Sequence, residues 1–220
     1  MLRNKLKHWC VCLLLASGAT AWAGSYEDWF SAIKRDDADA VATLLQRGFD
    51  PDARSPDGQH GLYLALRDQA PKVAQVLVSW PKTQIESRNK ADESPLMMAA
   101  LKGQTDMVRR LIARDADVNK PGWAPLHYAA TNGHLEVMAL LLEHHAFIDA
   151  QSPNGTTPLM MAAMYGSPQA VKLLLDAGAD VNLKNQLGLS AWDFAMRAQR
   201  KDAAELIANH VRTRRSPGRW

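Results

Sequence analysis

One phrase returns along this chain at intervals of about 33 residues, and nothing else in the sequence restricts the fold as tightly. Ser94-Pro95-Leu96-Met97-Met98-Ala99-Ala100 and Thr157-Pro158-Leu159-Met160-Met161-Ala162-Ala163 nearly match, with Ala124-Pro125-Leu126-His127-Tyr128-Ala129-Ala130 between them. Weaker copies stand at His60–Leu66 and Ser190–Met196, and an edge copy begins at Trp29. The first large apolar positions are Trp29, Leu62, Leu96, Leu126, Leu159 and Trp192, spaced by 33, 34, 30, 33 and 33 residues. A second phrase follows each time: Leu44-Leu45, Leu77-Val78, Leu111-Ile112, Leu141-Leu142 and Leu174-Leu175. Units then close on Gly48–Asp52, Asp115–Asn119, His145–Asp149 and Gly178–Asn182.

The chemistry of these phrases predicts a helix-turn-helix in each unit. Ser94, Thr157 and Ser190 are suited to cap a helix by accepting from its unpaired amides. Pro95, Pro125 and Pro158 follow in the first turn, where a missing N–H costs nothing. Paired alanines allow neighbouring helices to approach closely. Gly48 and Gly178 suit a left-handed residue after the second helix, and Asp115 or His145 can adopt that conformation at modest cost. Ser55-Pro-Asp-Gly58 and Ser152-Pro-Asn-Gly155 read as tight turns.

With these residues in place, the chain resembles the ankyrin-repeat family over nearly all of residues 24–211. The resemblance implies an all-α solenoid of about six helix-turn-helix units with short β-hairpin fingers. The units fall near 25–53, 54–87, 88–119, 120–150, 151–183 and 184–211. The Met-Met-Ala-Ala form with Met164-Tyr165-Gly166 is similar to exported bacterial members in particular. Ser25–Asp28 reads as a capping box that opens the first unit, and the last unit carries polar Gln199–Asp202 on an outer face that can meet water. The second unit departs most, with His60-Gly61 for Thr-Pro, Pro71 near its second helix, and Trp80-Pro81 where that helix should finish. It is expected to be the least stable joint.

Residues 1–23 read differently. Arg3, Lys5 and Lys7 precede a short apolar stretch and an Ala21-Trp22-Ala23 site acceptable to signal peptidase. This predicts a cleaved export signal and a periplasmic or secreted chain with no stable membrane insertion after cleavage. The whole sequence carries 26 basic and 23 acidic residues, giving +3. The signal's three basic residues account for that excess, and its Cys10 and Cys12 are the only cysteines. The mature chain is therefore neutral and thiol-free, held by core packing alone. Residues 212–220 add four arginines in an expected flexible tail, too short and too poor in readout residues to suggest nucleic-acid binding.

No phosphate loop, nucleophile elbow or recognisable catalytic triad is visible, so no catalysis is expected. The histidines show no zinc spacing, and the family resemblance gives His127 and His134 structural roles. Met97, Met98, Met160 and Met161 recur at first-helix positions and read as packing rather than metal-handling residues; Met164 is expected to be exposed. Neither a cofactor nor a metal is expected.

The resemblance implies a protein partner, bound by a monomer through the exposed ends of the first helices and the fingers. On that surface Arg35, Arg67 and Arg88 form a basic N-terminal half. Leu101, Trp123, Met164, Tyr165, Leu187 and Leu189 form an apolar C-terminal half. These apolar side chains either form an interface or fold back onto neighbouring units. Near them one finger is short: Asn119 to Leu126 spans seven residues, where four equivalent stretches span ten. The deletion is either a tolerated loop change or a notch that shapes a docking site. The expected function is an exported, non-catalytic interaction scaffold, such as an accessory factor in stress defence. An immunity-type inhibitor of a toxin, an onward-secreted effector and a metal- or haem-handling stress protein are the alternatives.

Overall fold

The computed structural model of the protein describes residues 24–215. The expected export signal and the last five residues lie outside the described residues. The chain divides into two compact units between Thr83 and Gln84. The first contains α1 (24–34), α2 (Ala38–Gln46), α3 (Gly61–Arg67) and α4 (Pro71–Ser79). The second contains α5 (Pro95–Leu101), α6 (Thr105–Ile112), α7 (Pro125–Asn132) and α8 (Leu135–Glu143). It continues with α9 (Pro158–Met164), α10 (Pro168–Asp176), α11 (Ala191–Arg197) and α12 (Lys201–Arg215). The twelve helices described form six pairs, as the repeat predicts.

Each phrase acts as its residue types dictate. The side chains of Ser94, Thr157 and Ser190 accept from the Met97, Met160 and Asp193 amides, and in these units and at Ala124 the residue three positions on reaches back to the cap's own N–H. The Ser94 and Thr157 amides donate to the Sδ atoms of Met97 and Met160, both at 3.4 Å. The Ala124 amide donates to His127 Nδ1 at 3.1 Å, and the Ser190 amide to Asp193 Oδ2 at 2.8 Å. The following alanines, Ala99-Ala100, Ala129-Ala130 and Ala162-Ala163, are wholly buried. In the second compact unit, α5, α7, α9 and α11 stack side by side through them. Second helices lie outside: Val108, Leu111, Val137, Leu141, Val171 and Leu174 bury one stripe of each.

A ladder of side-chain bonds joins successive units. Glu86 Oε1 accepts from the Asp117 amide at 2.8 Å, Asn119 Oδ1 from Phe147 at 2.7 Å, and Asp149 Oδ1 from Asp180 at 3.1 Å. Burial raises the Glu86 and Asp149 carboxyls above their ordinary values, against the lowering effect of these same bonds. Asn119 also donates to the His145 carbonyl at 2.8 Å. His134 sits over Gly103 and bonds the Leu101 carbonyl at 3.0 Å, and Asn132 bonds the same carbonyl at 2.8 Å.

The fingers are tighter than the expected β-hairpins. Among the described residues the β-pairing is a single bridge, Arg54 to His60. Four fingers instead close as five-residue loops, in which the amides of Ser55, Asn89, Ser152 and Asn185 donate to the carbonyls of Gln59, Glu93, Thr156 and Leu189. The fourth residue of each loop, Gly58, Asp92, Gly155 or Gly188, is left-handed. A type I turn followed by such a residue closes a loop this short without extended strands.

The end units behave as caps. Trp29 is fully buried against Phe49, and at Gly61, where other units carry Pro, a Cβ would lie 3.0 Å from Ile33 Cδ1 and 3.1 Å from the Trp29 ring. Trp192, the last key position, is 43% exposed, because no further first helix covers it within the described chain. Helix α12 runs past residue 211 to Arg215, so the start of the expected tail is helical. In the second sequence unit Trp80 turns extended and no helix forms from 80 to 94, the stretch within which the two compact units part.

The turn before α10 shows how closely the backbones approach. Gly166 does not adopt a left-handed conformation, yet a Cβ there would lie 2.5 Å from the Ala130 carbonyl oxygen and 2.9 Å from Ala162 Cα. Gly178 is left-handed, at φ 98°, but faces open space. Gly166→Ala should therefore cost at least about 2–3 kcal/mol through the forced backbone shift, and Gly178→Ala only about 1 kcal/mol. Urea unfolding of the two variants measures this, and equal losses would contradict the close approach.

Candidate interaction surface

Two hollows open side by side in the second compact unit. The first, about 240 Å³, is lined by Leu101 at the end of α5, by Trp123, by His127, Tyr128 and Thr131 of α7, and by Met161 of α9. The second, about 280 Å³, is again bounded by Trp123 and Met161. Met164 and Tyr165 at the end of α9, Leu187 and Leu189 of the last finger, and Phe194 and Arg197 of α11 complete most of its wall. Trp123 and Met161 are thus the partition shared by both. All six apolar residues expected at the surface from the repeat register line one hollow or the other.

They differ in exposure. Tyr165 and Leu187 are open to solvent at 54% and 77%. Leu101, Trp123 and Leu189 are half-buried, as is Met164, which the sequence had suggested would be exposed. Met161 also departs from its expected packing role. Met98, at the same repeat position, is buried, whereas Met161 is half-buried and faces the hollows.

The short fourth finger places Trp123. Gly122 is left-handed at φ 81°, so Trp123 follows it as Gln59, Glu93, Thr156 and Leu189 follow the left-handed residues of the full-length fingers. Its ring meets His127 edge-on, with centroids 5.2 Å apart. The neighbouring Lys120 is buried, and its Nζ pairs with Asp92 and donates to the Pro121 carbonyl at 3.2 Å. Lys120 holds the Asp92 carboxyl below the usual carboxylate range.

His127 fixes the floor of the first hollow. Because Nδ1 accepts from the Ala124 amide, Nε2 carries the proton and donates to the Thr156 carbonyl at 2.9 Å, tying α7 to the next finger. Burial pushes its pKa below the ordinary 6.5, so the neutral ring is the native form.

The three arginines expected in a basic half stand elsewhere in the structure's bonding. In the first compact unit, Arg35 bonds Ser31 and lies 3.9 Å from Asp37. Arg67 grips Asp68 with two bonds of 2.6 and 2.9 Å and donates to Gln59. Arg67 also lines a separate hollow of about 720 Å³ with Tyr26, Phe30 and Lys34. In the second compact unit, Arg88 lies 3.6 Å from Glu86, 3.4 Å from Asp92 and 3.8 Å from Asp117, an internal clamp between two successive repeats. None of the three lines the paired hollows. Arg197 does, though sequence reasoning did not select it. It occupies the inner-helix position of the last unit, the register that yields Leu101 and Met164. Tyr128 and Phe194 were also missed, because both sit inside phrases that read as core.

Comparisons with known proteins agree with this architecture. A family model described as "Ankyrin repeats (3 copies)" matches residues 29–121 and again 72–152, and one described as "Ankyrin repeat" matches 154–186. The chain is 38% identical over 136 residues to ankyrin repeat and SAM domain-containing protein 6 of Mus musculus, covering 59% of this chain and 15% of that protein. It is 32% identical over 154 residues to the B-cell lymphoma 3 protein homolog of Mus musculus, covering 67% of this chain and 34% of that protein. It therefore spans well under two thirds of these relatives. Among solved structures it is similar to a chain in the complex of a predatory endopeptidase from Bdellovibrio bacteriovorus with an immunity protein. The TM-score is 0.71 at 26% identity, covering 83% of this chain and 97% of that one.

The state of His127 sets an expectation for pH. A histidine whose folded pKa is depressed contributes stability that is full above its unfolded value and is lost as pH falls through the folded one. The thermal midpoint should thus decline from about pH 6.5 downward, and His127→Gln, though less stable at pH 7, should lose much of that slope. A variant whose midpoint keeps the parent's slope would show that the buried imidazole is not the group titrating.

Proposed function

This chain belongs to the ankyrin-repeat family, and from that premise we propose that it is a non-catalytic scaffold that captures a partner protein at the two hollows around Trp123. The single observation that carries the site is the convergence of six surface apolar residues on one partitioned groove. An exposed, contiguous apolar surface with an aromatic partition is the composition of an interface core, where a few anchors supply most of the binding free energy. The helix ends and fingers that present these residues are fixed by buried caps and the inter-unit ladder, so the surface is preorganised and little ordering is needed on binding.

The reading includes export to the periplasm, which rests on residues 1–23. Within it, an immunity-type role is favoured over an enzyme accessory role. Its support is the resemblance, over 97% of its length, to a chain of a complex pairing an endopeptidase with an immunity protein. In that role this protein would occupy a hydrolase of its own cell and keep it silent until release.

Two measurements test the proposal. A fusion of residues 1–23 to a reporter that folds only in the periplasm should be active in a Gram-negative host, and a silent fusion would remove the export part. For the binding part, tagged protein recovered from the periplasmic fraction should retain a stoichiometric partner that Tyr165→Ala and Trp123→Ala each lose. Tyr165→Ala should do so with its thermal midpoint within about 3 °C of the parent. Partner retention by both variants would place the interface elsewhere.

A further inference from the structure

The paired hollows also carry information about the chemistry of what they hold. At about 240 and 280 Å³ each is smaller than the pockets that usually enclose a small organic ligand, and both are open to solvent. Each has room for one bulky side chain. They sit on successive repeats, the first between α5, α7 and α9, the second between α9 and α11, so their centres are about one helix spacing, ~10 Å, apart. In a polyproline II segment, with three residues per turn and a rise of about 3.1 Å, residues three positions apart lie on one face at about that distance.

Charge distinguishes the two ends of this groove. The lining of the first hollow is uncharged, its one titratable imidazole being held neutral by burial. The second contains Arg197, whose guanidinium is exposed and makes no salt bridge among the described residues. Asp193, whose carboxylate feels both Lys184 and Arg197, accepts the Ser190 amide at 2.8 Å and hydroxyl at 2.6 Å through Oδ2 and forms no salt bridge with Arg197. A cation in the wall of an apolar hollow is a site for an anion brought by a partner.

We propose that the groove recognises a polyproline II segment of the partner protein bearing two bulky apolar side chains three positions apart. A carboxylate follows the second of them and meets Arg197. The inference rests on the assignment of the hollows as the binding surface and adds the sequence grammar of the occupant. One apolar side chain enters beside Leu101 and Tyr128, the other beside Tyr165 and Leu187, and the segment crosses Trp123 where the short finger leaves room.

Selection of a random twelve-residue display library on the purified protein tests this, run in parallel on Tyr165→Ala, Trp123→Ala and Arg197→Glu. The recovered peptides should share two large apolar residues three apart and an acid on one flank. The best of them, made synthetically, should bind Arg197→Glu about tenfold more weakly, and selection on Arg197→Glu should replace the acid with a base. Peptides that lose binding to Tyr165→Ala and Trp123→Ala but keep their acid on Arg197→Glu would overturn this inference and leave the site standing. Apolar residues seven apart, the spacing of a docked helix, would overturn it equally, as would failure to enrich any peptide. Peptides indifferent to both aromatic substitutions would overturn the site itself.

Discussion

A unit of some thirty residues cannot bury its own apolar face, and in this protein the remedy is close backbone contact between the first helices of neighbouring units. Alanine pairs make that contact possible. Ala99-Ala100, Ala129-Ala130 and Ala162-Ala163 are fully buried, and the approach is near enough that a Cβ on Gly166 would strike the Ala130 carbonyl. Close packing of this kind leaves little tolerance for volume, which fixes how each helix pair is set on the last. Once that is fixed, Glu86, Asn119 and Asp149 can each find the amide of the following unit. The fingers and the ends of the first helices are then held in register, which is what a binding surface made from separate repeats requires.

The short fourth finger acquires its meaning against this regularity. Three missing residues leave the ladder intact, since the bond from Asn119 to Phe147 spans 28 residues where its counterparts span 31. The deletion acts only on the tip. There Trp123 lines both hollows, the buried Lys120 pairs with Asp92, and Met161 is half-buried where Met98 is buried. The shortened finger thus stands at the partition between the two hollows, and Arg197, which makes no salt bridge among the described residues, lines the second.

Much of this was legible in the residues themselves. The period, the caps at Ser94, Thr157 and Ser190, and the left-handed positions at Asp115 and His145 follow from local chemistry and appear as expected. The repeat register of the first-helix ends and fingers also singles out Leu101, Trp123, Met164, Tyr165, Leu187 and Leu189, which the structure places around the two hollows. What escaped depends on contacts between units. Arg88 looks like a free surface charge in the sequence. Its partners Glu86, Asp92 and Asp117 come from successive repeats, and spacing along the chain does not show that they converge. Met161 reads as core by its register, yet it is half-buried between the two hollows where Met98 is buried. Gly166 matches the glycines at 103 and 133 in position but serves close approach rather than a left-handed turn.

The proposed interface around Trp123 would be held ready by the stack beneath it. Amide hydrogen exchange of the protein, alone and with its captured partner, tests this most directly. New protection should be confined to the short finger at 122–124, the end of α9 at 164–166 and the last finger at 185–189, with α6, α8 and α10 unchanged. Protection concentrated on those outer helices, or spread evenly through the buried alanine pairs, would contradict it.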